Sequence, residues 1–243
     1  MKLYNKVCLI TGSSRGIGSS IARAFAAEGA KVIITYNTNK KEGIKLSKEL
    51  GMNSAYKLNV IKKKNIKSVF KNVYKKFGKI DVLVNNAGTN ITNDFDKLSE
   101  KDWDTVVDVN LKGVFLCSQE VLKYMPNEGR IINIGSLSGE YGGPRTPSYA
   151  AAKAGVMSLT HCLARFVGKR KICVNCISPG VIDNEFTKET MSKDVRKKAK
   201  SLLLLPKFGN VKDINGMAVF LASKESSYVT AQTISINGGA WVR

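Results

Sequence analysis

The chain has 243 residues, 43% of them hydrophobic, and its 39 lysines and arginines against 19 aspartates and glutamates give a formal net charge of +20. That length and apolar content are enough to bury a full core in a single α/β domain, and no apolar run approaches the roughly 20 residues that cross a bilayer, which excludes a membrane span. The charge alone suggests an anionic partner. Its lysines are dispersed, however, in small groups at Lys62-Lys63-Lys64, Lys75-Lys76, Lys169-Arg170-Lys171 and Arg196-Lys197-Lys198, with no nucleic-acid-binding signature or aromatic run beside them, so neither nucleic acid nor membrane is expected as a partner.

The N-terminus, Met1-Lys-Leu-Tyr-Asn-Lys-Val, runs straight into a strand without the apolar stretch of a signal peptide. A cytoplasmic protein is expected, or one of a plastid or organelle lumen if a transit segment has gone. Residues 6–11 form a short apolar run, as a buried parallel strand should. Gly12-Ser-Ser14-Arg15-Gly16-Ile17-Gly18 opens a helix over 19–28, with Ile17, Ile21 and Phe25 on one face and Gly29 as its stop. A second strand at 31–36 completes a βαβ unit. The helix N-terminus beside this glycine loop suits a phosphate, because free N–H groups and the helix dipole both favour an anion there.

Further strands are predicted at 54–60, 81–84, 130–134, 171–177 and 232–236, with helices at 66–77, 104–123, 149–167 and 214–222. The five cysteines, Cys8, Cys117, Cys162, Cys173 and Cys176, fall mostly in apolar segments and read as reduced core thiols. Cys173-Val-Asn-Cys176 has a CxxC spelling, but in a strand its two thiols point to opposite faces, and His161 is the single histidine. No metal site is expected.

The chemistry points to the stretch 136–153. Ser136 closes an apolar run, a loop rich in glycine and proline follows, and Tyr149 and Lys153 lie at i and i+4 on one helical face. A free tyrosine ionises near pH ~10; a neighbouring ammonium is expected to lower that value and improve the phenol as a proton donor. The pair alone fits an acid–base site, and it also fits two side chains that merely pack.

The motifs in chain order resemble those of the short-chain dehydrogenase/reductase family. The loop Gly12-x-x-x-Gly16-x-Gly18, the segment Asn85-Asn86-Ala87-Gly88, Asn110 in Asp108-Val-Asn-Leu-Lys-Gly, and the set Ser136, Tyr149 and Lys153 match its patterns along essentially the whole chain. The resemblance implies a Rossmann-type, doubly wound, mostly parallel α/β sheet of about seven strands flanked by helices on both faces, forming one cofactor-binding domain over 1–243. It implies catalytic roles for Asn110, Ser136, Tyr149 and Lys153. Cofactor contacts are implied at Gly12, Ser14, Arg15, Gly16, Ile17, Gly18, Tyr36, Asn37, Asn59, Val60, Asn86, Ala87, Gly88, Pro179, Gly180, Ile182 and Asn184, as well as at Tyr149 and Lys153, with a substrate lid over about 181–207.

The end of the second strand, Thr35-Tyr36-Asn37-Thr38-Asn39-Lys40, carries no acid before Glu42, and Arg15 stands where NADP-preferring members carry a base. NADP(H) is therefore the expected cofactor. Within the family, the sequence most resembles reductases of 3-oxoacyl groups on acyl-carrier protein in fatty acid synthesis. That resemblance implies an acidic carrier as partner, with Lys169, Arg170 and Lys171 as docking candidates, and a dimer or, more often, a homotetramer built through helices 104–123 and 149–167. Pro144-Arg145-Thr-Pro147 before the tyrosine, Asn184 and Ala231 depart from the usual pattern, leaving a specialised ketoreductase as the first alternative. A non-catalytic dinucleotide-binding or nucleic-acid-binding protein is more remote, given the intact catalytic set.

Overall fold

A computed structural model describes residues 1–242, apart from the side chain of Thr190. Seven strands form one parallel sheet in the order β3-β2-β1-β4-β5-β6-β7: β1 (Val7–Ile10), β2 (Lys31–Tyr36), β3 (Ala55–Lys57), β4 (Val82–Asn85), β5 (Arg130–Ile134), β6 (Cys173–Pro179) and β7 (Thr233–Ile236). Alternation along β1 sorts the core into two layers. Cys8 and Ile10 face one side, where Ile21, Ala22 and Phe25 of α1 (Gly16–Ala27), Leu46 of α2 (Lys40–Glu49) and Ala218 and Leu221 of α10 (Asn215–Ala222) cover them. Val7 and Leu9 face the other, under α3 (Lys63–Phe77), α5 (Gly113–Val121) and α7 (Pro147–Val167). Strand order reverses between β1 and β4, and in such sheets the crevice at the carboxyl ends beside that reversal is where ligands bind.

Several elements differ from the sequence expectation. The third strand is shorter than 54–60, and α2 has no counterpart in the predicted elements. The expected helix over 104–123 is two helices, α4 (Glu100–Val107) and α5, joined by a π-turn at Asp108–Lys112. Between β6 and α10 the chain makes α8 (Glu185–Thr190) and α9 (Lys193–Ser201), an excursion closed at its base where Gly209 N donates to Val181 O at 3.0 Å and Asp183 N to Gly209 O at 2.8 Å. Four cysteines are buried free thiols as expected; Cys162 is instead exposed on α7, as is His161. No described helix is long and apolar enough to cross a membrane.

Candidate active site

The carboxyl ends of β1, β4, β5 and β6 converge on two adjoining cavities. The first, about 470 Å³, lies over the loop between β1 and α1. Gly12 adopts φ +64°, and a Cβ there would stand 2.9 Å from Ala87 Cα, so only glycine lets the β1 and β4 loops approach this closely. Gly16, at φ +58°, has open space where a Cβ would be, at the mouth of α1. The loops are also tied by hydrogen bonds. Thr11 Oγ1 accepts from the backbone N–H of Asn86 at 2.9 Å and of Ala87 at 3.0 Å, while Asn86 Nδ2 donates to the carbonyls of Thr11 and Gly12. Thr35, which the motif reading did not single out, accepts from Gly12 N through its hydroxyl at 3.0 Å.

Most of the expected cofactor residues line this cavity: Gly12, Ser14, Arg15, Gly16, Ile17, Asn37, Asn59, Val60, Asn86, Ala87, Gly88, Tyr149, Lys153 and Asn184, with Asn110 beside them. Two do not. Gly18 is the close-packing glycine behind the loop, where a Cβ would meet Gly12 O at 2.8 Å, and Tyr36 is buried with its ring against Gly43 of α2. Thr38, Asn39 and Thr89 also line the cavity, and the sequence singled out none of them. Arg15 Nη1 reaches Glu189 Oε1 at 3.2 Å and Glu185 Oε2 at 3.7 Å, pairing the glycine loop with α8.

The second cavity, about 550 Å³, contains Ser136, Pro179, Gly180 and Ile182, and α8 and α9 wall it with Phe186, Met191, Val195, Ala199 and Leu202. Its lining is predominantly apolar. Pro179, Gly180 and Ile182 thus line the second cavity and not the first. Of the leucines that follow α9, Leu202 lines the cavity, whereas Leu204 and Leu205 are exposed elsewhere. Arg145 stands on the rim in a left-handed conformation, φ +57°, and its Nε pairs with Asp94 Oδ1 at 2.9 Å.

Tyr149 lines both cavities, as do Ile17, Ile134, Asn184 and Phe186. Pro147 at the first position of α7 starts the helix that carries it, since the missing N–H is one the helix would leave unbonded anyway. Lys153 is buried, donates from Nζ to Ile134 O at 2.7 Å and sits 5.5 Å from the Tyr149 ring centroid. Asn110 lies in the π-turn and is fully buried; Nδ2 donates to Thr89 O at 2.7 Å and to Val106 O at 2.8 Å. Turns of this kind recur at functional sites. A buried polar chain supports the centre from below: Asn85 Nδ2 donates to Ser118 Oγ and Asn133 Oδ1, and Asn133 Nδ2 to Thr160 Oγ1 of α7.

The electrostatics correct one expectation. Burial pushes the Tyr149 phenol up to about 12, and the influence opposing it is a hydrogen bond with Ser136, not the Lys153 ammonium. Lys153 is itself pushed down to about 8 by burial, with a smaller upward pull from Cys176. The phenol is thus held protonated across the neutral range, joined to Ser136, with a readily titrated ammonium one helical turn away. The docking group is also altered. Arg170 donates to the carbonyls of Leu122 and Met125 and to Asn127 Oδ1, leaving Lys169 and Lys171 as its exposed charges, at the amino end of β6 and away from the cavities. Among the described residues no cluster of His, Cys, Asp or Glu could hold a metal.

Comparison with known proteins places these features in a wider group. A family model described as Enoyl-(Acyl carrier protein) reductase matches residues 12–240. The 3-oxoacyl-[acyl-carrier-protein] reductase FabG of Thermotoga maritima is 44% identical over 98% of this chain and 99% of its own length, and that of Salmonella typhimurium is 38% identical over the whole of both. Among solved structures, a blue fluorescent protein from a metagenomic library in complex with NADPH superposes with a TM-score of 0.93 at 32% identity over all of both chains. A Serratia marcescens short-chain dehydrogenase/reductase variant gives 0.93 at 31% identity, over 99% of each.

Proposed function

The chain belongs to the short-chain dehydrogenase/reductase family, and from that membership and its site we propose that it reduces 3-oxoacyl groups carried on acyl-carrier protein to 3-hydroxyacyl groups with NADPH, in fatty acid synthesis. The observation that carries the reading is the place of Tyr149. It stands where the 470 Å³ and 550 Å³ cavities meet, so a proton donor lies between a polar crevice suited to a dinucleotide and an apolar one suited to an acyl chain.

The residues present fit the dinucleotide. The space left at Gly16 and the free N–H groups of the first turn of α1 suit a pyrophosphate, and Asn37, Thr38 and Asn39 put no carboxylate at the end of β2 to repel a 2′-phosphate. Arg15 would hold that phosphate. When bound, NADPH supplies the hydride that adds to the carbonyl carbon. Tyr149 gives its phenolic proton to the carbonyl oxygen, leaving the secondary alcohol. Ser136, hydrogen-bonded to Tyr149, donates to the same oxygen as negative charge builds on it, which is where a fixed donor is most effective. Lys153 would hold the nicotinamide ribose, and it supplies a positive charge to the site. Asn110, whose Nδ2 is bonded to backbone carbonyls, would hold through its Oδ1 a water linking Lys153 to solvent for reprotonation.

The family model's description names an enoyl reduction, whereas the curated relatives named above are 3-oxoacyl reductases. The carbonyl reading is preferred here because two hydroxyls, Ser136 and Tyr149, line the same cavity close enough to influence one another, as a pair serving one developing alkoxide would. The acidic carrier would have to present its acyl chain at the mouth of the second cavity, which Lys169 and Lys171, at the amino end of β6, do not border. Four copies would assemble through the α4–α5 and α7 faces, where Phe115 is 45% and Phe166 78% exposed. The buried free thiols accord with a reducing cytosol.

The reading is tested by following NADPH oxidation with acetoacetyl and crotonyl thioesters of the carrier, free 3-oxo acids and cyclic ketones. Turnover of the acetoacetyl thioester well above all others is expected. Activity confined to non-thioester ketones would instead assign the protein to a specialised ketoreductase, and activity confined to crotonyl thioester would restore the enoyl reading.

A further inference from the structure

Ser136 sits at the head of a turn too short to hold its own shape. The helix α6 (Ser138–Tyr141) is four residues long, and its own backbone bonds, Gly139 N to Ser136 O and Glu140 N to Leu137 O, each 2.9 Å, are those of a single turn. An isolated turn of this length does not persist in water, because fixing its dihedrals costs more than its few hydrogen bonds return. Besides the Tyr141 ring resting on Trp241, centroids 5.9 Å apart, three attachments hold it. Leu137 N donates to Pro179 O at 2.9 Å. Gly139 packs so closely on α7 that a Cβ would lie 2.6 Å from Ala154 N and 2.7 Å from Lys153 C. The third is a side chain, Glu140. Its Oε1 accepts from Ser178 Oγ at 2.5 Å and from Ser235 Oγ at 3.0 Å.

Ser178 and Ser235 are register partners on β6 and β7, so one carboxylate oxygen gathers the hydroxyls of two neighbouring strands. Ser178 immediately precedes Pro179 and Gly180, which wall the substrate cavity. Hydroxyl bonds to a carboxylate are short and about twice as strong as neutral ones, which makes this the strongest side-chain attachment of the turn. The carboxylate's influence also reaches the floor of the site. The Cys176 thiol, held up to about 11 chiefly by burial, is pulled down by Lys153 and pushed up by Glu140.

We infer that Glu140 is a positioning residue for carbonyl reduction, fixing the 136–141 turn to the ends of β6 and β7 so that the Ser136 hydroxyl stays aimed at the substrate oxygen. This rests on the reading of Ser136 as a donor to the carbonyl. A displacement of Ser136 by about 1 Å is enough to cost on the order of 100-fold in rate, and it acts on the transition state more than on ground-state binding.

The test compares Glu140→Ala, Glu140→Gln and the double variant Ser178→Ala/Ser235→Ala with the parent enzyme, on whichever carbonyl substrate the parent turns over fastest. Glu140→Ala is expected to lower kcat about 10–100-fold, with KM and the NADPH Kd, read by fluorescence, within about twofold of the parent. Glu140→Gln, whose amide oxygen still accepts both hydroxyls, should stay within about threefold of the parent. The double serine variant should reproduce most of the Glu140→Ala loss, and the combined variant should lose clearly less than the product of the two separate losses, because the three groups act together. Parental kcat in a folded Glu140→Ala enzyme, a loss confined to KM, or additive losses would overturn the inference. If Glu140→Ala does not fold, the double serine variant decides by the same criterion. A parent that reduces ketones but ignores acyl thioesters would correct the substrate reading and leave this test intact; a parent inactive on every carbonyl would overturn both.

Discussion

The Lys153 ammonium lies 5.5 Å from the centroid of the Tyr149 ring and donates to the carbonyl of Ile134 at 2.7 Å. The lysine is therefore anchored to the end of β5 and reaches past the phenol without bonding to it. Burial acts on both groups in opposite senses, raising the tyrosine to about 12 and lowering the lysine to about 8.

A pH profile follows from those two directions. Reduction needs a protonated phenol and a charged lysine, and the lysine loses its proton first. The kcat/KM for NADPH, which reports groups of the free enzyme, should be level below about pH 8 and fall above it as Lys153 becomes neutral. Stability should move the other way at first. The folded lysine releases its proton near 8 and the unfolded one near 10.5, so the unfolded chain binds more protons in that window and stability from this group rises with pH. Above pH 10 Tyr149 opposes that gain, because its folded value is the higher one and the unfolded chain sheds its proton first. Activity that climbs steadily from pH 8 to 10 in the direction of carbonyl reduction would contradict the assignment.

Arg15 should govern the choice between NADPH and NADH. Its guanidinium faces the first cavity but is shared with Glu185 and Glu189 of α8. Replacing Arg15 by alanine should weaken NADPH binding about 10–100-fold, as expected for losing about 1.5–3 kcal/mol from a hydrogen bond to a charged group, and leave NADH nearly unchanged. Equal losses for the two cofactors, measured by fluorescence titration, would remove Arg15 from the 2′-phosphate.

Ala231 lies just before β7 at φ +59° and donates from its backbone N to Val174 O at 2.8 Å. A residue with a Cβ is disfavoured in that left-handed conformation by about 1–2 kcal/mol, part of which glycine gives back through its freer unfolded chain. Ala231→Gly should therefore stabilise the fold by about 0.5–1 kcal/mol and raise Tm by a few degrees in thermal melts, with kcat unchanged. A lower Tm would show that Ala231 makes packing contacts worth more than the strain.

Much of this fold was legible because each strand of a doubly wound sheet is an apolar run and its helices carry clear faces. The candidate pair Tyr149 and Lys153 was legible because its spacing is local, on one helical turn, whereas Asn110 and the role of Ser136 were picked out only by the family resemblance. What stayed hidden depends on contacts distant in sequence. Helix α2, Lys-Lys-Glu-Gly-Ile-Lys-Leu-Ser-Lys-Glu, has a weak apolar face and an interior glycine, and it is placed by the Tyr36 ring packing on Gly43. The π-turn at Asn110 leaves no mark in a 3.6-residue pattern. Tyr36 and Gly18 sit beside cavity-lining residues in sequence yet face away from the cavity, because one turns onto α2 and the other onto the loop's own backbone. The rise in the Tyr149 value was also invisible, because pattern reading counts a nearby charge but not the burial that outweighs it.

The most direct test of the account is the Tyr149→Phe variant, assayed with acetoacetyl-[acyl-carrier-protein] and NADPH. Removing one hydroxyl leaves the ring, the cavities and the Lys153 anchor at Ile134 in place. NADPH should bind with a Kd within about threefold of the parent, while kcat falls by about 10³-fold or more, the loss expected when a proton donor to the reacting oxygen is deleted. A kcat within tenfold of the parent, with the same bound cofactor, would contradict it.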